Sequence, residues 1–318
     1  MTLVAMLLLL GGTASGQSSP TSEEATVWKQ RAEPIVKGCS TDYQRARAIY
    51  DWVCQNIAYD VAGRIGDANT CWTQKRGICS GYSQLYIKLA QGCGMEAVEI
   101  SGTAKTLSFS NGKGPHAWVR VKTEKGWTLV DATWGAGEVM TGKNGTKKFE
   151  RQFRPFWFDV DPQWLIFTHF PKQPDDQLLP SPISEEQYQR LPILWPSMEE
   201  WGLTAQKTLD YFLTHPKAKM AKTYDVPARV SGKLKLVDIP LSRTLTAGKS
   251  YSLVVEATDE NYRPFLSPQT EWKQEGNRFT ATVKPKAKQK AVRLEIGEPD
   301  GKGGWTIFTL LEYGVKAQ

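Results

Sequence analysis

The chain has 318 residues, of which 40% are hydrophobic and 23% charged, with a formal net charge of +7. That balance excludes a disordered chain and supplies enough apolar material for a sizeable core, and the length fits two domains at roughly 150 residues each. The positive charge affects encounter with anionic surfaces more than it affects the fold.

The amino terminus runs from Leu3 into four leucines, Leu7 to Leu10, then small residues to Gly16. A short apolar run followed by small residues reads as the core and cleavage region of a secretory signal, although no Lys or Arg precedes the leucines. The run falls short of the ~20 apolar residues that a membrane-spanning helix needs. The expectation is a signal peptide over residues 1–16 and a secreted or periplasmic protein without a stable membrane span.

A first helix is expected from Thr21 to about Glu33. Thr41 and Gln44 have the spacing of a capping box, and Ala46, Ile49, Tyr50, Val53 and Ile57 follow at helical spacing. A helix therefore runs from about Asp42 to Ile57. Asn69 to Gly77 reads as a loop, and a second strong helix begins at Cys79 and ends near Gly92, with Tyr82, Leu85, Tyr86 and Leu89 on one face. Strand-like segments follow at Ala97 to Ala104, His116 to Val121 and Trp127 to Thr133. A Ser/Gly-rich loop, Lys105 to Gly114, separates the first two, and a short turn, Thr123 to Gly126, joins the last two. The aromatic and Pro-rich stretch from Phe153 to Pro196 is too apolar for a free linker and is expected to wrap the first domain.

From about Leu234 the pattern becomes alternating. Leu234 to Val237, Tyr251 to Ala257, Arg278 to Val283, Val292 to Ile296 and Thr306 to Leu311 read as short strands, the spacing of a small β-sandwich. Within it the basic run Lys284 to Arg293 reads as a solvated strand edge or turn. An anionic envelope polymer is a conceivable partner for an exported basic chain. Nucleic acid is not expected, because no aromatics interleave with the basic run.

There are five cysteines, Cys39, Cys54, Cys71, Cys79 and Cys93. An odd number in an exported chain leaves at least one thiol unpaired, and which of the other four pair is open. Their spacing does not match a paired-CxxC zinc site, so no metal or cofactor is expected. Cys79, between Gly77 and Gly81, stands at the predicted start of a helix. The partial positive charge and unpaired amides there stabilise a thiolate and the oxyanion of an acyl intermediate. An even-length turn at Thr123 to Gly126 pairs His116 with Thr133 and Trp118 with Asp131. His116 and Asp131 then share a face one diagonal step apart, so that the carboxylate accepts the imidazole N–H. Of the three histidines, His169 and His215 have no carboxylate placed comparably on a neighbouring strand, which makes His116 the expected base.

The blocks Gly77 to Tyr82, Pro115 to Val119 and Trp127 to Gly135 resemble the three core motifs of the transglutaminase-like superfamily. Ala48 to Trp52 and Ile57 to Asp60 resemble the helix that leads into them. Trp157-Phe158, Asp161-Pro162, Thr168 to Pro171 and Leu178-Leu179 to Pro192 are similar to its kyphoscoliosis-peptidase-like branch. The resemblance covers about residues 42 to 200. It implies an α+β papain-like core, in which a helix bearing Cys79 packs on an antiparallel sheet carrying His116 and Asp131, with roles of nucleophile, base and orienting acid. Trp72 and Gln74 are both open as the second oxyanion donor. The expected organisation is a transglutaminase-like domain over residues 17–200 and an Ig-like β-sandwich over 201–318. The expected activity is thiol acyl transfer on a protein or peptide substrate, more hydrolytic than crosslinking. The alternative is a scaffold or cell-envelope adhesion module that keeps the fold without using it.

Overall fold

The computed structural model describes residues 22–106, 112–142, 144–224, 226–227 and 229–317. The expected signal segment and the centre of the Lys105 to Gly114 loop lie outside the described residues.

Helix α1 (Ser22–Ala32) and helix α2 (Asp42–Asn56) form where the apolar periodicity predicts. At the start of α2, Thr41 Oγ1 accepts the Gln44 N–H at 3.2 Å. Gln44 Oε1 reaches past the cap to accept the Ser40 N–H at 2.8 Å, so the reciprocal bond of the box lands one residue early. The stripe Ala46, Ile49, Tyr50, Val53 and Cys54 is fully buried.

The segment read as a loop from Asn69 to Gly77 is instead a short helix, α3 (Ala68–Gln74), followed by a strand pair. Asp67 caps α3 by accepting the Thr70 N–H, and Lys75, in the left-handed region at φ 53°, ends it. Strands β1 (Ala58–Tyr59) and β2 (Arg76–Gly77) pair in parallel, with Tyr59 opposite Gly77. This pair aims the chain into α4 (Cys79–Gly92), which buries Tyr82, Leu85, Tyr86 and Leu89.

The sheet against which α4 packs has the order β5-β4-β3-β8, all antiparallel. Its members are β3 (Ala97–Lys105), β4 (Lys113–Thr123), β5 (Gly126–Val130) and β8 (His169–Pro171). Between β5 and β8 the chain forms α5 (Ala132–Ala136) and a hairpin of β6 (Gly137–Thr141) and β7 (Lys147–Arg151). The strand expected to reach Thr133 thus stops at Val130, because the Asp131 side chain accepts the Thr133 and Trp134 N–H groups and starts a helix. The stretch from Phe153 to Pro196 packs onto the core as expected, burying Trp157, Trp164, Phe167 and Tyr188.

Beyond it, Ala205–Thr214 is a helix joined to the preceding segment by an edge-on contact of Phe212 with Phe167. The five expected carboxy-terminal strands form, at Leu234–Asp238, Tyr251–Ala257, Arg278–Val283, Ala291–Pro299 and Trp305–Lys316. They divide between two sheets, joined by shorter strands at Thr244–Thr246, Arg263–Ser267 and Lys273–Glu275 that the alternation does not reveal. One face of each sheet is buried, through Leu253, Val255, Phe279 and Ala281 on one and Val292, Leu294, Ile296 and Leu311 on the other. Among the described residues no helix is long and apolar enough to cross a membrane.

One glycine governs how the central sheet closes. Gly102 on β3 lies opposite both His116 on β4 and Pro171 on β8. A Cβ there would stand 2.2 Å from the Phe170 carbonyl oxygen and 2.7 Å from the Trp118 ring. Backbone cannot yield as a side-chain tip does, so Gly102→Ala is expected to lower stability by about 3 kcal/mol, at the upper end of overpacking costs. Urea unfolding of the variant against the wild type measures this.

Candidate active site

Cys79 is the first residue of α4, and no side chain caps that helix, so its leading amides are not shared with a capping group. The glycines on either side set the approach. A Cβ on Gly77 would stand 2.9 Å from the Cys71 sulfur, and one on Gly81 would stand 2.6 Å from the Ile65 carbonyl oxygen. Without those side chains the helix start sits tightly against α3 and the 60–66 turn. That turn is itself tied down by Asp60, whose carboxylate accepts the N–H groups of Ala62, Arg64 and Ile65.

His116 and Asp131 meet as the hairpin register requires. β4 and β5 pair from Val119–Val130 to Thr123–Gly126, which sets Asp131 level with Trp118, one diagonal step from His116. His116 Nε2 lies 2.8 Å from Asp131 Oδ2. Cys79 lines the same cleft and is electrostatically coupled to the imidazole, and with Nε2 committed to the carboxylate, Nδ1 is the nitrogen left for the sulfur. The Ala117 backbone N–H also favours the thiolate. The three residues singled out from the sequence are therefore brought together, with Cys79 partly exposed and His116 and Asp131 buried.

Charge follows from this geometry. Burial disfavours the Cys79 thiolate, but the hydrogen bond and positive charge of His116 outweigh it and the thiol pKa falls below its ordinary value. Burial likewise opposes the His116 imidazolium. Asp131 and Cys79 overcome it, raising the ring to about 10. Asp131 is held well below the usual carboxylate range, because His116 and His169 more than offset its burial.

His169 is the residue that sequence reasoning missed. The sequence places no carboxylate comparably on a neighbouring strand, yet His169 Nε2 lies 3.0 Å from the same Asp131 Oδ2. The partner stands just after β5, at the start of α5, and is reached across the whole sheet: β8 pairs with β3, Ala104 opposite His169, and no local pattern shows that pairing. His116, Asp131 and His169 place their polar atoms within 4.8 Å of one another, a grouping that resembles a metal-ligand set. The direct N···O contacts of 2.8 and 3.0 Å make it a hydrogen-bonded cluster whose donors and acceptor already satisfy each other.

The Cys79 thiol and His116 open onto a cleft of about 310 Å³, walled by Tyr59, Trp134, Trp195 and the β6–β7 hairpin. Neither Trp72 nor Gln74 lines it. α3 turns Trp72 to the far side, where it stacks on Trp52 at 4.9 Å beneath the Lys75 ammonium. Tyr59 lines it instead, brought beside the nucleophile by its pairing with Gly77. Burial, then the negative charges of Cys79 and Asp60, raise its phenol pKa, so its hydroxyl stays protonated and able to donate.

Residues 29–132, about a third of the chain, match the family model of the transglutaminase-like superfamily, a span containing Cys79, His116 and Asp131. The chain carries a transglutaminase-like domain. Human kyphoscoliosis peptidase is 29% identical over 209 residues, and its mouse counterpart 30% identical over 209, each alignment covering 62% of this chain and 30% of the relative. Hillarin from Drosophila melanogaster is 25% identical over 209 residues, covering 58% of this chain and 25% of its own length. Within that superfamily, the likeness is to kyphoscoliosis peptidases. The chain spans less than a third of the length of these relatives.

The raised pKa of His116 has a consequence for stability. A group whose folded pKa lies above its unfolded value contributes fully below the unfolded value, ~6.5, and loses that contribution as pH rises through the folded one. The stability lost in His116→Gln, measured by urea unfolding, is therefore expected to be of the order of a few kcal/mol at pH 6. Its pH-linked part should shrink steadily as pH rises from ~6.5 toward 10.

Proposed function

We propose that this protein is a thiol enzyme that transfers acyl groups from peptide or amide carbonyls, with Cys79 as nucleophile, His116 as acid and base, and Asp131 as the group that orients His116. The observation that carries the reading is that Cys79 and the Asp131-bound His116 line one cleft, with His116 lowering the thiol pKa. The thiolate attacks the carbonyl carbon, and the oxyanion is held by the α4 amides and by the Tyr59 hydroxyl. As the C–N bond breaks, His116 gives its proton to the departing amine and leaves a thioester on Cys79. Water then gives up a proton to His116, attacks the thioester and releases the acid, which restores the imidazolium and thiolate.

Hydrolysis is the favoured outcome over crosslinking, supported by the curated human and mouse relatives, which bear the name peptidase. Catalysis is favoured over a scaffold role because Cys79 is a free, partly exposed thiol facing a cleft. We assign the chemistry to residues 17–200 and a binding or spacer role to residues 201–318, since every residue lining the cleft falls between Tyr59 and Trp195. A secreted or periplasmic site of action belongs to the same proposal.

The test is mass spectrometry of acid-quenched reactions with a library of glutamine-containing peptides, with and without a primary amine. The expected result is an acyl adduct on Cys79 that decays to free acid faster than to amide. Turnover should fall by about 10⁴-fold or more in Cys79→Ala and in His116→Ala, with no further loss when the two are combined. Turnover that persists in Cys79→Ala would remove Cys79 from the mechanism. Tyr59→Phe is expected to lower kcat by roughly 10- to 100-fold with little change in KM, the signature of a bond made in the transition state.

A further inference from the structure

His169 takes part in none of the steps above, yet it is buried against the group on which they depend. Its Nε2 faces Asp131 Oδ2 at 3.0 Å, its Nδ1 faces Thr168 Oγ1 at 2.8 Å, and 1% of its surface is exposed. Aromatic rings pack around it: Trp134 with centroids 4.5 Å apart, Trp118 edge-on at 5.0 Å and Trp157 at 5.4 Å. The His116 ring is 5.2 Å away.

The hydrogen bonds determine the protonation of this ring. An ionised carboxylate only accepts, so His169 Nε2 carries the hydrogen. A second cation beside the His116 imidazolium in a buried site is disfavoured, so His169 is neutral and its Nδ1 accepts the Thr168 hydroxyl at 2.8 Å, in preference to that hydroxyl's longer contact of 3.2 Å with the Leu165 carbonyl oxygen. Burial accordingly lowers its pKa, to about 4, with Asp131 opposing the shift and His116 assisting it. The other titratable groups that Asp131 influences across the cluster are Tyr50 and Cys54 from α2, Tyr59 from β1 and Cys79 from α4.

We propose that His169 is a positioning residue: by donating its Nε2–H to Asp131 Oδ2, it fixes the carboxylate oxygen against which the His116 ring is aligned and moderates that oxygen's pull on the His116 proton. This builds on the Cys79–His116–Asp131 reading and adds a fourth member from a different strand. Asp131 Oδ1 is already held by the Thr133 and Trp134 N–H groups, at 2.9 and 3.0 Å. His169 supplies the restraint on the other oxygen. A donor on Oδ2 spreads the carboxylate charge, so its removal leaves Asp131 more basic toward His116.

The test is histidine-labelled nuclear magnetic resonance on the full chain, where only three histidines need assignment. In the wild type, His169 should stay neutral with the proton on Nε2 down to about pH 5. Titration of His169 in the ordinary imidazole range of ~6.5, or a proton on Nδ1, overturns the proposal without any variant. His169→Gln keeps a donor within reach and loses aromatic packing, whereas His169→Phe keeps the packing and loses the donor. The expected result is that His116 titrates about half to one unit higher in His169→Phe and within a few tenths of wild type in His169→Gln. The reverse order, or no shift in either, assigns His169 to packing and overturns the proposal. These spectra are read without turnover or thiol reactivity, so a failure of the thiol-enzyme reading is separable from a failure of this one.

Discussion

A carboxylate removed from water is tolerated only where hydrogen bonds and opposite charge replace its hydration, and a buried one left unpaired costs several kcal/mol. Asp131 meets that demand at every position around its two oxygens. Oδ1 accepts the Thr133 and Trp134 amides, and Oδ2 accepts His116 and His169. Each contact also shapes the chain. The amides end β5 and begin α5, His116 ties β4 to the site, and His169 ties β8 to it. The same carboxylate that turns the backbone therefore holds the imidazole that faces Cys79. A satisfied network of this kind is rigid, and a partly satisfied one is costly, which makes Asp131 the residue the site can least do without.

Much of this was legible in the sequence, for local reasons. α2 and α4 are long enough for their apolar stripes to repeat, and Cys79 was placed at the first residue of its helix. The two-residue turn between Thr123 and Gly126 fixes a register in which His116 and Asp131 share a face, and the observed pairing follows it. The alternation of Tyr251–Ala257 and Arg278–Val283 likewise revealed strands whose inner faces are buried.

What escaped did so because the deciding contact is distant or the element is short. α3 spans seven residues, too few for a repeating stripe, and rests on the Asp67 cap and the burial of Cys71. Its presence turns Trp72 and Gln74 away from the cleft, although both stand near Cys79 in sequence. Thr133 and Trp134 favour strands by composition, but the carboxylate before them recruits their amides into a helix. His169 sits on a three-residue strand whose partner lies 65 positions earlier in the chain, opposite Ala104. The one clue was that Thr168-His169 follows directly on the apolar run Trp164 to Phe167.

Catalysis here requires a Cys79 thiolate sustained by His116, and three of the other four thiols offer a clear background against which to see it. Cys54 and Cys71 are buried, the first raised well above its ordinary pKa and the second to about 12, and Cys93 is raised as well. The decisive measurement is the rate of iodoacetamide alkylation between pH 5 and 9, mapped by mass spectrometry. The account predicts rapid modification at Cys79 below pH 7, abolished in Cys79→Ala and displaced to alkaline pH in His116→Ala. Slow modification of Cys79 that rises only near pH ~8.5, the ordinary thiol range, and is indifferent to His116→Ala would contradict it.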